Sequence, residues 1–127
     1  MNELKSFLER LGGLHDAVVR QLVWEPEART LRLEIVDLCW NFEGLPEYPG
    51  AVPGAIVLRG VDRIGFGLHI GADVERLNIY EFSVKEESAD EYWATISFWP
   101  SGYISAVYRA ADFPVVELRR VGHEDKN

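Results

Sequence analysis

The sequence predicts an α+β domain in which one N-terminal helix packs on a strongly bent, mainly antiparallel sheet of about seven or eight strands. Apolar residues recur with helical spacing only near the start of the chain. From Val18 onward they alternate with the period of two that is typical of strands. Many short strands joined by brief turns indicate an antiparallel sheet, and so many strands do not lie flat.

The composition is that of a folded protein with a core of its own. The chain has 127 residues, of which 47% are hydrophobic and 27% are charged, as in ordinary globular domains. No repeat, linker or low-complexity segment interrupts it. We expect a single domain over residues 1–121 and a polar tail over residues 122–127.

The first segment is predicted to be a short amphipathic helix. Asn2 can cap its start, and Gly12 and Gly13 supply a left-handed end. Its apolar stripe has the spacing i, i+3, i+4, i+7 and consists of Leu4, Phe7, Leu8 and Leu11. This stripe is expected to pack on the sheet.

Eight segments with strand patterns follow the helix. They are Val18–Trp24, Thr30–Asp37, Ala55–Val61, Ile64–Ile70, Leu77–Glu86, Tyr92–Trp99, Tyr103–Arg109 and Phe113–Arg119. The last is predicted to be an edge strand that tolerates Pro114. A long loop rich in proline and glycine separates the second and third strands, and its Glu43, Glu47 and Tyr48 can reach a partner.

The hairpin around Pro100–Gly102 has two different faces. A three-residue loop would place Trp99 opposite Tyr103, Thr95 opposite Val107 and Trp93 opposite Arg109. The predicted core face holds Ala94, Ile96, Phe98, Ile104, Ala106 and Tyr108. The other face holds Trp93, Thr95, Ser97, Trp99, Tyr103, Ser105, Val107 and Arg109.

The mixed face of this hairpin has two interpretations. It is covered by the C-terminal segment or by the proline-rich loop, or it is a binding surface with aromatic and hydroxyl groups. The predicted register also lets Trp93 and Arg109 form a cation–π pair across the strands.

The charge balance indicates which partners suit the chain. With 13 basic and 21 acidic residues, the net charge is −8. This charge argues against nonspecific binding of nucleic acid. Four acids within residues 86–91 are either solvated surface or a patch that steers a basic protein partner. The predicted partner-binding set is Glu86, Glu87, Asp90, Glu91, Trp93, Trp99, Tyr103 and Arg109.

The chain lacks the residues that a disulfide, a metal site or a cofactor-binding motif requires. The single cysteine, Cys39, precludes an intrachain disulfide and a cysteine-based zinc site, and we expect it to be a small buried hydrophobe. His15 and Asp16 lack the further ligands of a metal site, so no metal is expected. No cofactor is expected either, because the glycines around His69 have the wrong spacing for a dinucleotide fingerprint and no phosphate-binding loop exists.

Targeting features point to the cytoplasm. The N-terminal segment carries charges where a signal peptide needs an apolar run. The longest uncharged stretch, Tyr92–Tyr108, is 17 residues, shorter than the ~20 that a membrane helix needs. We therefore expect a cytoplasmic protein that makes no membrane contact.

Residues 14–35 resemble the opening of a group of small bacterial domains. The segment Leu14-His15-Asp16-Ala17 leads into a valine-rich strand ending in Trp24 and then into Leu31-Arg32-Leu33-Glu34-Ile35. This order, together with the later segments Leu58-Arg59-Gly60-Val61 and Asn78-Ile79-Tyr80, resembles small uncharacterised α+β domains that include immunity proteins of polymorphic toxin systems. The resemblance implies an intracellular, non-enzymatic domain that neutralises a toxin by binding it, and it transfers no catalytic residue.

Three functions follow as hypotheses. The first is a non-enzymatic binding domain, of the immunity type, for a basic partner. The alternative is a small-molecule-binding domain with a pocket inside the bent sheet lined by Trp40, Tyr80 and Phe82. The second alternative is a small hydrolase that uses His69 with a nearby acid, although no Gly-x-Ser-x-Gly elbow is present.

Overall fold

A computed structural model describes residues 3–67 and 76–120 of the chain. Within them, helix α1 spans Glu3–Arg10, and short 3₁₀ helices span Gly12–Leu14 and Trp40–Phe42. The strands are β1 Val18–Glu25, β2 Thr30–Ile35, β3 Gly54–Arg59, β4 Arg63–Gly67, β5 Leu77–Ser88, β6 Glu91–Trp99, β7 Tyr103–Tyr108 and β8 Ala110–Asp112. The predicted mixture of one helix and an antiparallel sheet is confirmed, although the helix is a small part of it.

All strands belong to one sheet in the order β4-β7-β6-β5-β1-β2-β3-β8, which is antiparallel throughout and not closed. Two short connections force this sheet to curl. Only residues 60–62 separate β3 from β4, and only Arg109 separates β7 from β8, although each pair lies toward opposite ends of the sheet. Hydrogen bonds from Arg109 N to Arg59 O (2.9 Å) and from Asp62 N to Val107 O (2.8 Å) bridge this corner. One face of the sheet therefore lies inside the curl and the other outside.

The inward face is the hydrophobic core. All six residues of the predicted core face of the hairpin are at most 4% exposed: Ala94, Ile96, Phe98, Ile104, Ala106 and Tyr108. The predicted apolar stripe of the helix is buried against the same core. Gly12 (φ 71°) and Gly13 (φ 72°) follow the helix in the left-handed conformation that the sequence predicts.

The register of the β6–β7 hairpin differs from the prediction by two residues. Thr95 lies opposite Ser105 rather than opposite Val107. The turn is centred one residue earlier than predicted, with a cis peptide bond between Trp99 and Pro100, as in turns that place a cis proline at their third position. Since a shift by two preserves the alternation, each side chain still lies on its predicted face.

The predicted last strand, Phe113–Arg119, is wrong. The final strand of the described chain is β8, which ends at Asp112, and the following residues form no regular element. Pro114 has no N–H to donate to a ladder. The segment leaves the sheet instead, and the Arg119 N–H donates to Glu47 O at 2.8 Å.

Four predictions concern residues outside the described ranges. They are the Asn2 cap, residues 68–70 of the fourth strand, the role of His69, and the polar tail over residues 122–127.

A buried carboxylate holds the long proline-rich loop in place. Asp37 is 5% exposed. It accepts hydrogen bonds from the backbone N–H groups of Cys39 (3.0 Å) and Val52 (2.9 Å) and from the Tyr48 hydroxyl (2.5 Å). Cys39 is buried as predicted, and this burial raises the pKa of its thiol. Both ends of the loop are thus fastened to one side chain.

We predict that Asp37→Ala lowers the free energy of unfolding by about 3 kcal/mol, because three buried or half-buried donors lose their acceptor. The matched control is Asp112→Ala, which removes an exposed carboxylate paired with Arg59 and costs about 1 kcal/mol or less. Urea unfolding measures both variants. Equal losses of stability would contradict the role given to Asp37.

The Tyr48–Asp37 bond also predicts a pH dependence. It raises the pKa of Tyr48 from 10.0 to about 12, so the folded state favours the protonated phenol. The resulting stabilisation is complete below the unfolded pKa of 10.0 and is lost as the pH rises to about 12. In urea unfolding at increasing pH, the stability advantage of the wild type over Tyr48→Phe should shrink across this interval. A constant difference between the two proteins is the contrary result.

Candidate functional site

The outward faces of β5, β6, β7 and β4 form one continuous surface, here called the aromatic face. Strand pairing places its side chains in rows that run across the strands. The rows are Glu81, Ser97, Tyr103 and Gly67; then Ser83, Thr95, Ser105 and Gly65; then Lys85, Trp93, Val107 and Arg63. Because the middle row carries only small groups, larger side chains stand on both sides of it.

A recess of about 450 Å³ lies on the aromatic face. Its lining includes Arg63, Gly65, Glu87, Trp93, Tyr103 and Ser105. A side chain at Gly65 would meet no atom within 4 Å, so this glycine leaves the recess open. At Gly67 the opposite holds, because the Tyr103 ring occupies the space that a Cβ would take. Gly65 thus leaves the recess open, and Gly67 makes room for the Tyr103 ring in its wall.

Trp93 is fixed in the wall of the recess by two polar contacts. Its Nε1 donates to the Ser105 hydroxyl at 2.7 Å. The Lys85 ammonium lies 4.3 Å from the centre of the indole. The predicted pair between Trp93 and Arg109 is wrong, because the actual register puts Lys85 directly beside the tryptophan and leaves Arg109 beyond the end of β7.

The predicted acidic patch carries its own counterions. Arg63 Nη2 lies 3.2 Å from a Glu87 oxygen. Arg109 reaches Asp90 at 3.2 Å and Glu91 at 3.7 Å. Three of the four acids in the patch, Glu87, Asp90 and Glu91, are therefore ion-paired, and the exposed pairs exchange partners at little cost.

The predicted partner-binding residues separate into groups. Glu87, Trp93 and Tyr103 meet at the recess. Asp90, Glu91 and Arg109 form the ion-pair cluster at one end of the hairpin, and Trp99 is 62% exposed at its other end. Glu86 is exposed on β5.

On the aromatic face Tyr103 is 47% exposed and Val107 is 6% exposed. Trp93, Thr95, Ser97 and Ser105 are half-buried. The two segments that would cover this face in one of the two interpretations contact other parts of the chain in the described residues. Phe113 stacks on Phe7 of helix α1 with ring centres 4.5 Å apart. The Arg119 N–H donates to Glu47 O, so the C-terminal segment contacts the proline-rich loop.

Arg63 and Gly65 are functional candidates that the sequence analysis missed. Both lie on β4, whose neighbour in the sheet is β7, a strand far along the sequence. The available signal was the spacing of Gly65 and Gly67 within a predicted strand, because a strand glycine often marks a site where another group approaches the backbone closely.

The residues of the predicted small-molecule pocket do not line one interior space. Phe82 is buried at 6% exposure, whereas Trp40 is 45% and Tyr80 is 58% exposed. Tyr80 points outward because the β5–β6 register shifts between Ile79 and Glu81. This bulge breaks the alternation from which the sequence placed Tyr80 beside Phe82.

His15 and Asp16 form an exposed pair. His15 Nδ1 lies 2.8 Å from Tyr80 O, and its Nε2 lies 3.6 Å from the Asp16 carboxylate. Among residues 3–67 and 76–120, no group of three or more His, Cys, Asp or Glu side chains could hold a metal ion. In those same ranges, no helix has the length and apolar character needed to span a membrane.

No model of a known protein family matches the chain, and no curated protein matches it. The aromatic face and its charges are therefore the features from which a function can be inferred.

Threonine substitutions at Gly65 and Gly67 form a matched pair. At Gly65 the new side chain enters open space on a strand, so stability should change by less than about 0.5 kcal/mol. At Gly67 it displaces the Tyr103 ring, and we expect a loss of about 1 kcal/mol or more. Urea unfolding compares the two, and similar losses at both positions would contradict the geometry of the recess.

Proposed function

We propose that the chain is a non-enzymatic, cytoplasmic binding domain that docks a basic protein partner on its aromatic face. The recess, where Glu87, Trp93 and Tyr103 meet, carries this proposal. An arginine or lysine side chain of the partner suits this recess. Its cationic head can pair with Glu87, and its stem can pack on the Tyr103 ring.

Charge supports a basic partner. The net charge of −8 attracts a cationic protein over a distance and raises its association rate. Within the recess, the partner's cation takes the place of Arg63 at Glu87. The Arg63–Glu87 pair is exposed, so this exchange costs little.

The other half of the sheet is a less suitable surface. On the outward side of β2 and β3, Arg32 pairs with Glu34 at 2.9 Å and Arg59 pairs with Asp112. These are local ion pairs on a regular antiparallel face, as expected of solvated surface.

An immunity-type protein is the specific form of this proposal that the resemblance of residues 14–35 favours. The basic partner would then be a toxin, and binding alone would neutralise it. Neutralisation by binding requires no catalytic residue in this chain.

The proposal predicts that partner retention depends on the aromatic face. The tagged chain is used to capture proteins from its native host at low and at high salt. A basic protein should be retained at low salt, and a double variant with Trp93→Ala and Tyr103→Ala should weaken this retention more than about tenfold. Gly65→Phe, which fills the recess without removing any side chain, should have a similar effect.

The matched control is a double variant with Arg32→Ala and Glu34→Ala, which alters the outward face of the other half of the sheet. It should retain the partner as the wild type does. Retention that is insensitive to the aromatic-face substitutions, or that is lost equally in the control, would contradict the proposal. The retention of acidic proteins alone would also contradict it.

A further inference from the structure

The recess on the aromatic face already holds a cationic side chain of the chain itself. Arg63 on β4 pairs with Glu87 on β5, and strands β7 and β6 lie between these two strands. Because neighbouring strands are about 4.8 Å apart, the two side chains meet across roughly 14 Å of sheet. Val107 of β7 lies directly beside Arg63 and is only 6% exposed although it points outward. The guanidinium of Arg63 is thus a resident occupant of the recess.

The resident ion pair is a weak one. The hydrogen bond from Arg63 Nη2 to Glu87 Oε2 is 3.2 Å long, whereas strong charge-assisted bonds are about 2.7–2.9 Å long. The side chain of Arg63 is 63% exposed and that of Glu87 is 34% exposed, so solvent screens their attraction. The resident arginine is therefore an occupant that a stronger ligand can replace.

We propose that the recess selects an arginine side chain of the partner over a lysine side chain, an inference that rests on the proposed function. A guanidinium is planar and can offer a carboxylate two parallel hydrogen bonds. A partner's arginine can therefore bind both oxygens of Glu87 and gain more than the contact it displaces. A lysine ammonium is a compact, strongly hydrated point charge, so it replaces one exposed ion pair with another and gains little.

The aromatic walls of the recess favour the same choice. The Lys85 ammonium already lies 4.3 Å from the centre of the Trp93 indole, so a further cation at this indole would meet a like charge. Tyr103, which lines the recess together with Gly65, is 47% exposed. A guanidinium can stack flat on the Tyr103 ring and keep its edge directed at a carboxylate, whereas an ammonium has no plane to stack.

Two capped tripeptides, Gly-Arg-Gly and Gly-Lys-Gly, are the probes that test this selectivity. Their dissociation constants are measured at low salt by NMR titration of the Trp93 indole N–H resonance. The wild type should bind the arginine peptide roughly three- to tenfold more tightly than the lysine peptide. Glu87→Gln should remove this preference, because an amide offers one acceptor oxygen instead of two. The inference is overturned if the wild type binds both peptides equally or does not bind the arginine peptide.

Arg63→Met tests the resident occupant. It removes the guanidinium and keeps an unbranched apolar stem, so Glu87 loses its intramolecular competitor and the arginine peptide should bind roughly two- to fivefold more tightly. The matched control is Arg32→Met, which removes the same charge from an arginine paired with Glu34 on the other half of the sheet. It should leave the affinity unchanged. An unchanged affinity in Arg63→Met, or an equal gain in Arg32→Met, would count against a resident arginine that competes for the recess.

The failure of this inference and the failure of the proposed function give different results. If a basic protein is captured through the aromatic face but the two peptides bind equally, the recess does not select arginine, and the proposed function stands. If the arginine preference is measured but no basic protein is captured, the selectivity of the recess stands, and the proposed function fails.

Discussion

The arrangement of the molecule depends on one corner of the sheet. At this corner the short connection between β3 and β4 lies beside the short connection between β7 and β8. Gly60 is at this corner with φ 63°, and a Cβ there would lie 3.1 Å from the Arg109 side chain. The two chain segments therefore cross at a distance that a larger residue would disturb. Because connections this short join strands from opposite ends of the sheet, a flat sheet is impossible. Once the sheet curls, the alternation of apolar and polar residues decides which side becomes the core.

The alternation of residues gives the two sides of one hairpin different surroundings. Trp93 and Val107 point outward and line the recess of the aromatic face. Their chain neighbours Tyr92 and Tyr108 belong to the core side instead, with ring centres 5.6 Å apart. The alternation of a strand thus separates the recess from the hydrophobic core.

The alternation of residues predicted the two faces of the hairpin, but it could not predict their neighbours. The count of turn residues gave a register wrong by two, and the face assignments survived only because the error was even. The pairing of β4 with β7 brings Arg63 beside Val107, and no local pattern contains this contact. The bulge at Tyr80 likewise turns its side chain outward, whereas strict alternation would place it on the same face as buried Phe82. Local periodicity therefore indicates on which face of the sheet a side chain lies, whereas recesses and ion pairs depend on the pairing of strands that are distant in sequence.

The acidic run shows how this long-range pairing changes a functional interpretation. As a sequence, residues 86–91 indicate either solvated surface or a patch that steers a basic partner, and the fold brings Arg63 and Arg109 to them. A partner that offers charge alone gains little from acids that are already paired, since it only replaces one exposed ion pair with another. A partner side chain that also fills the space above Gly65 and contacts the Tyr103 ring gains packing contacts in addition to the ion pair. Under the proposed function, the net negative charge would govern how fast a basic partner arrives, and the shape of the recess would govern which partner stays.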